Sequence, residues 1–163
     1  MKRRGFLKLG VGAAVVIGVA GAGIALIKPG LVDGKLSPGA RELMAATARA
    51  VLGDLLPAAG VEAQLSRLDA TIAGFPAATR KELSDALGLL ATAAGRYALV
   101  GLSKPWGEAS AADIEQALNA MRLSTSNTRQ QIYHALRDLN AIAFFTEPGN
   151  WQTAGYPGQR EIP

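Results

Sequence analysis

The 163 residues are enough for one domain with a sizeable core, but the absence of cysteine and a single histidine, His134, exclude disulfides, thiolate-bound metals, iron–sulfur clusters and covalently attached haem. The net charge of +4 comes from residues 1–28, which hold five of the 17 basic residues and no acidic residue. The remaining 12 basic and 13 acidic residues leave the body at −1, with no basic stripe, so we do not expect it to bind nucleic acid.

The chain begins with a short basic segment, MKRRGFLK, followed by a long uncharged run. The run extends from Leu9 to Ile27, and as a helix it would span roughly 28 Å, about one bilayer core. This layout is typical of an export signal. The alternative is a single membrane-spanning anchor, which the basic flank would orient in the same way.

The stretch RRGFLK resembles the twin-arginine export signal at each of its fixed positions. The usual serine or threonine before the arginine pair is replaced by lysine. The resemblance implies that the protein reaches the periplasm already folded. The residues that carry the match are Arg3, Arg4, Phe6, Leu7 and Lys8.

The fate of this leader, residues 1–28, is open between two alternatives. The small residues Ala20–Ala22 offer a cleavage site for a signal peptidase, but cleavage there leaves the apolar stub GIALI. Without cleavage, residues 9–27 would stay in the membrane and anchor the protein to it.

We predict a turn-rich linker over residues 29–36 and a bundle of about five helices over residues 37–146. Ser37 is expected at the N-cap of the first helix, with Pro38 at its first position, and Ser110 with Asp113 is expected to form a capping box at the start of a later helix. No strand-type alternation is present. The sequence therefore predicts an all-α fold. The helical stripes are Leu43, Met44, Thr47, Ala48, Val51, Leu52, Leu55 and Leu56; Val61, Leu65, Leu68 and Ile72; Leu83, Leu87, Leu90, Ala94 and Tyr97; Ile114, Ala117, Leu118 and Met121; Ile132, Leu136, Leu139 and Ala143.

No catalytic, metal-binding or cofactor-binding motif is found in the helices. The sequence has no glycine-rich nucleotide loop after a strand, no P-loop and no His/Cys cluster. His134 precedes Asp138 by one helical turn, but a surface contact at that spacing is far commoner than a catalytic pair. We therefore predict that this chain is not an enzyme and holds no cofactor or metal.

The end of the chain, FFTEPGNWQTAGYPGQREIP, differs in composition from the helices. Four of the nine aromatic residues lie in it, and its prolines and glycines are expected to exclude helix and to form turns. We predict an irregular docking tail over residues 147–163, because large rigid side chains suit the centre of an interface. The alternative is that these rings cover the chain's own core. The predicted interface residues are Phe144, Phe145, Trp151, Tyr156, Pro157 and Gly158.

The leader, the helix closing at Leu55–Pro57 and above all FFTEPGNWQTAGYPG resemble the gluconate 2-dehydrogenase subunit 3 family. The tail pattern is an aromatic pair, a turn with proline, a tryptophan and then Gly-Tyr-Pro-Gly. About a quarter of the chain carries the match, since the middle shares only its helical character.

This resemblance implies a small, non-catalytic subunit of a periplasmic flavin dehydrogenase. Its partner would be an FAD enzyme of the glucose–methanol–choline class, which the small subunit chaperones and escorts through the twin-arginine translocon. A cytochrome c or an iron–sulfur relay commonly carries the electrons onward in such complexes. The alternative reading is a stand-alone periplasmic or membrane-anchored helical protein that binds a small ligand.

Overall fold

The computed structural model describes residues 27–157, and the leader residues Arg3 to Lys8 and the tail residue Gly158 lie outside this range. Within it the chain is an all-α bundle preceded by one small hairpin, which confirms the predicted fold class. No helix of residues 27–157 is long and apolar enough to cross a bilayer. The helices are α1 (Pro38–Leu52), α2 (Val61–Ala73), α3 (Ala77–Ala91), α4 (Ala93–Gly95), α5 (Ala111–Arg122), α6 (Asn127–Phe145) and α7 (Gly149–Thr153).

The segment predicted as a linker is instead an antiparallel hairpin attached to the bundle. Its strands are β1 (Leu31–Val32) and β2 (Lys35–Leu36), joined by Asp33 and Gly34, which both have positive φ. Asp-Gly is a strong signal for a tight hairpin turn, but strands of two residues are too short to show alternation.

The hairpin is fixed to α2 and α3 by hydrogen bonds. The backbone N–H of Leu36 donates to Asp69 Oδ1 at 2.8 Å, and those of Gly30 and Leu31 donate to the carbonyl and hydroxyl oxygens of Ser84 at 2.9 and 3.0 Å. Leu36 is buried in the core. The bundle therefore begins before residue 37, and the predicted boundary at that residue is corrected.

Helix α6 packs against the three helices α1, α2 and α5. The stripes predicted for these four helices are confirmed, apart from Val51 and Leu55, which are half-buried. Helix α1 ends at Leu52, and a short 3₁₀ turn, Gly53–Leu55, leads to the buried Leu56. Burial of these stripes supplies the main driving force for the fold.

Three buried polar side chains also connect the helices. The side chain of Asn140 in α6 donates through Nδ2 to Thr47 Oγ1 of α1 at 3.2 Å. The backbone carbonyl of Asn140 accepts from Gln64 Nε2 of α2 at 2.9 Å. All three residues are fully buried. Because an unpaired buried polar group costs about 1–3 kcal/mol, these bonds favour one rotational setting of α6 against α1 and α2.

The third predicted helix ends earlier than its stripe. Helix α3 stops at Ala91, Thr92 caps α4 by accepting the Gly95 N–H at 3.0 Å, and a π-helix follows over Arg96–Val100. Ala94 and Tyr97 are exposed, so their assignment to the core was wrong. The change of direction at Thr92 rotates the later residues off the α3 stripe.

The loop after the π-helix carries a core residue that the stripes did not include. Trp106 is buried, and its Nε1 donates to the Leu90 carbonyl at 2.9 Å. The predicted capping box of α5, in which Ser110 and Asp113 bond reciprocally, is confirmed. Ser37 occupies the N-cap position of α1, but its side chain makes no capping bond.

The tail predicted to lack helix contains one. Helix α7 forms despite Pro148 and Gly149, because proline is well tolerated just before a helix begins, where no backbone N–H is needed. The prediction of an irregular tail is therefore wrong for Gly149–Thr153.

Replacing Gly88, in the middle of α3, with alanine should not give the increase in stability that this replacement usually gives inside a helix. A Cβ at Gly88 would meet the Lys28 carbonyl oxygen and would lie 3.1 Å from Gly30 N. We expect Gly88→Ala to lower stability by about 1–3 kcal/mol, where helix propensity alone would raise it. Thermal and urea denaturation measure the change.

The matched control is Gly74→Ala. Gly74 has a negative φ, and the nearest atom to its added Cβ is 3.4 Å away. The free energy of unfolding of this variant should therefore be close to that of the parent. A Gly88→Ala protein as stable as the parent would contradict the close packing of residues 27–30, the segment before the hairpin, on α3.

Candidate functional site

The last turn of α6 is apolar on both its inner and outer sides. Ala143 and Phe144 are buried in the core, whereas Ile142 and Phe145 are 37 % and 41 % exposed. Residues three apart lie on the same face of a helix, so Ile142 and Phe145 form one exposed apolar strip.

Helix α7 folds back over this end of α6 and bonds its free carbonyl groups. Trp151 Nε1 donates to the Phe145 carbonyl and Asn150 Nδ2 to the Phe144 carbonyl, both at 2.8 Å. The last carbonyls of a helix have no partner within it, so the indole N–H satisfies the Phe145 carbonyl. The Asn150 amide adds a short bond to the Phe144 carbonyl, which otherwise accepts only a 3.4 Å bond from the Glu147 N–H within the described residues. The tail is thereby fixed to α6.

The aromatic rings of this region form two edge-to-face pairs. The ring centroids of Phe144 and Phe145 are 5.2 Å apart, and those of Trp151 and Tyr156 are 5.6 Å apart. The Tyr156 N–H donates to the Trp151 carbonyl at 2.9 Å, after a turn at Gly155, whose φ of 77° favours glycine. Tyr156 is half-exposed, and Trp151 is half-buried.

These contacts define a candidate docking surface, the aromatic surface, made of Ile142, Phe145, Trp151 and Tyr156. Of the residues predicted for an interface, Phe144 lies instead in the chain's own core and is not accessible. Pro157 is exposed beside Tyr156. Phe145 and Tyr156 are exposed and Trp151 is half-buried, and the docking of a partner on these rings stays a prediction.

Ile142 is a member that sequence reasoning missed. It does not belong to the α6 stripe of Ile132, Leu136, Leu139 and Ala143, and an apolar residue off a buried stripe is the signal that could have found it. The fold-back of α7 had no comparable signal, since it depends on two side-chain bonds to backbone carbonyls.

His134 is exposed and does not pair with Asp138. Asp138 instead accepts from Arg137, with Nη2 to Oδ1 at 2.7 Å, and Arg137 lies over the Tyr133 ring. The aspartate is thus committed to a neighbouring arginine. Residues 27–157 hold no group of three His, Cys, Asp or Glu side chains that could bind a metal ion.

Comparison of the chain with known protein families, with curated proteins and with solved structures gives no match. The candidate site is therefore assessed from its own geometry.

Replacing Trp151 with phenylalanine keeps an aromatic ring but removes the donor to the Phe145 carbonyl. A net loss of about 1 kcal/mol should raise the open population of α7 about fivefold. We expect limited chymotrypsin digestion, followed by mass spectrometry, to cleave after Phe145 faster in Trp151→Phe by that factor.

Gln152→Ala is the control, because Gln152 is an exposed α7 residue whose side chain makes no hydrogen bond within the described part of the chain. It should be cleaved at the parental rate. Equal cleavage of Trp151→Phe and the parent would mean that the indole bond does not hold the tail.

Proposed function

We propose that this protein is a non-catalytic small subunit that docks through its aromatic surface on a periplasmic FAD-dependent dehydrogenase and escorts it through the twin-arginine translocon. The proposal follows the resemblance to the gluconate 2-dehydrogenase subunit 3 family. The single observation that carries it is the aromatic surface, with Ile142, Phe145 and Tyr156 exposed together at one end of α6.

The chemistry of this surface suits a lasting protein–protein contact. Tyrosine, tryptophan and phenylalanine are enriched at the centres of interfaces, where they bury a large apolar area for little lost rotamer freedom. The tail is already bonded to α6 through Trp151 and Asn150, so docking would cost less conformational entropy than ordering a free segment.

The identity of the partner follows from the leader and the tail motif. A twin-arginine signal serves proteins exported in the folded state, yet this sequence has no cofactor motif that would require folding before export. A second chain that must take up FAD in the cytoplasm accounts for the signal. In this proposal the partner holds the FAD and performs the oxidation, and a cytochrome c subunit receives its electrons.

The test is co-purification followed by cell fractionation. A tagged full-length chain is expressed in its source cells, and the FAD content of the captured protein is measured in the cytoplasmic and periplasmic fractions. We expect one FAD-bearing polypeptide in stoichiometric amount. Phe145→Asp with Tyr156→Asp should abolish its capture, because burying the two added carboxylates without partners would strongly disfavour association.

Tyr97→Asp is the matched control. Tyr97 is 69 % exposed, on the π-helix that neighbours the opposite end of α6, so its replacement should leave the complex intact.

Replacing the two leader arginines, Arg3→Lys with Arg4→Lys, should leave the FAD-bearing partner bound to the chain, but the complex should stay in the cytoplasm. Capture without FAD, or equal loss with Tyr97→Asp, would refute the docking proposal, and normal export of the arginine variant would refute the escort role.

A further inference from the structure

A cleft of about 310 Å³ lies at the other end of α6, between the π-helix, the loop that follows it and helices α5 and α6. This size is at the lower limit for small-molecule sites and fits a ligand of a few heavy atoms. The lining residues that matter here are Val100, Lys104, Asp113, Ala117, Ala120 and Arg129.

The negative charge in the cleft is already compensated. Asp113 Oδ2 accepts from Lys104 Nζ at 2.8 Å and from the Ser110 hydroxyl and N–H at 2.8 and 2.9 Å. The bonds from Lys104 first, and then from Ser110, lower the pKa of Asp113 to about 2. Asp113 therefore stays ionised at neutral pH, and Lys104 neutralises it.

The positive charge of Arg129 has no such compensation. Within the described part of the chain, its Nη2 makes one long hydrogen bond, 3.4 Å, to the Val100 carbonyl, and its buried Nε has no acceptor. No carboxylate among residues 27–157 forms an ion pair with it. A planar guanidinium fork with free donors is the side chain best matched to a carboxylate or phosphate group.

A second arginine stands behind the same loop. Arg96 is more than nine-tenths buried, and among the residues that the structure describes its Nη2 makes only a 3.5 Å bond to the Ser103 carbonyl and its Nε has no acceptor. Arg96 and Arg129 form no ion pair among the described residues, so they leave a local excess of positive charge at the loop Gly101–Ser103. A buried charge is costly unless it is paired, so an added anion would be stabilised here.

The backbone here is unusual in a way that shapes the cleft. The π-helix ends with the Gly101 N–H bonded to the carbonyls of both Arg96 and Tyr97, at 3.1 and 3.0 Å, and Gly101 has a φ of 81°. π-Helical turns are rare, and they often occur at functional sites. This turn sends the loop across the end of α6, beside Arg129 Nη2.

We propose that this cleft binds a small organic carboxylate, with the guanidinium of Arg129 bonded to the carboxylate. Arg96, behind the loop, adds positive electrostatic potential that favours an anion in the cleft. The Lys104–Asp113 ion pair stays formed at one side of the cleft. Val100, Ala117 and Ala120 form an apolar wall for a short carbon chain. This site is separate from the aromatic surface and does not rest on the function proposed above.

The test is an NMR titration of the ¹⁵N-labelled full-length chain in non-ionic detergent with butyrate, inorganic phosphate or sodium chloride at equal ionic strength. We expect saturable butyrate shifts at the amides of Gly101, Ser103 and Lys104 and at the Nε–H of Arg129. Phosphate should bind more weakly because it cannot use the apolar wall.

Arg129→Gln should weaken butyrate binding by about tenfold or more, the loss expected for a charged hydrogen bond. Arg122→Gln is the control with the same change of charge, since Arg122 is exposed on α5 and bonds only Asn119 within the described residues. Arg129→Lys keeps the positive charge but not the planar guanidinium, and it should weaken binding by a smaller factor. Its partial binding would show that the loss in Arg129→Gln does not come from unfolding.

Three results would overturn the proposal. They are the absence of saturable butyrate shifts at the cleft, equal affinities in Arg129→Gln and Arg122→Gln, and phosphate binding at least as tightly as butyrate.

Discussion

The burial of α6 among α1, α2 and α5 is the constraint on which the rest of the molecule depends. Its stripe Ile132, Leu136, Leu139 and Ala143 packs inward, and Asn140 bonds to α1 and α2 from the same face. An apolar stripe alone permits some rotation and sliding between helices, whereas buried hydrogen bonds are lost by a small shift. The orientation of α6 is therefore fixed.

Both candidate sites follow from this one orientation. Helix α6 has 19 residues, which corresponds to roughly 28 Å, and it presents Arg129 near one end and Phe145 at the other. The inward turn of Phe144 forces the next side chain, Phe145, outward. The same rotation brings Arg129 to the Val100 carbonyl across the cleft. The proposed carboxylate cleft and the aromatic surface are in this way held at opposite ends of a single amphipathic helix.

Much of the fold could be predicted from the sequence because it depends on local periodicity. The stripes of α1, α2, α5 and α6 and the Ser110–Asp113 capping box are patterns within one helix, and they are confirmed. The docking of the hairpin and the burial of Trp106 depend on contacts between distant segments. Gly88 shows the difference clearly, since only the docking of residues 27–30, the segment before the hairpin, explains why this α3 position has no room for a side chain.

The candidate site divides in the same way. Composition identified the aromatic tail, but it could not distinguish Phe144, in the core, from Phe145, at the surface, since that depends on the phase of α6. The cleft had no sequence signal, because Arg96 and Arg129 are 33 residues apart and act together only through the π-helical turn. Sequence reasoning thus found the residue types of one site and missed the other.

Docking through the aromatic surface is tested most directly by amide hydrogen exchange of the full-length chain, alone and in a purified complex with the proposed FAD-bearing partner. We expect slower exchange on complex formation in residues 142–156, where the aromatic surface becomes covered, with no change on the exposed face of α5. Unchanged exchange over 142–156 in a complex of proven FAD content would contradict it.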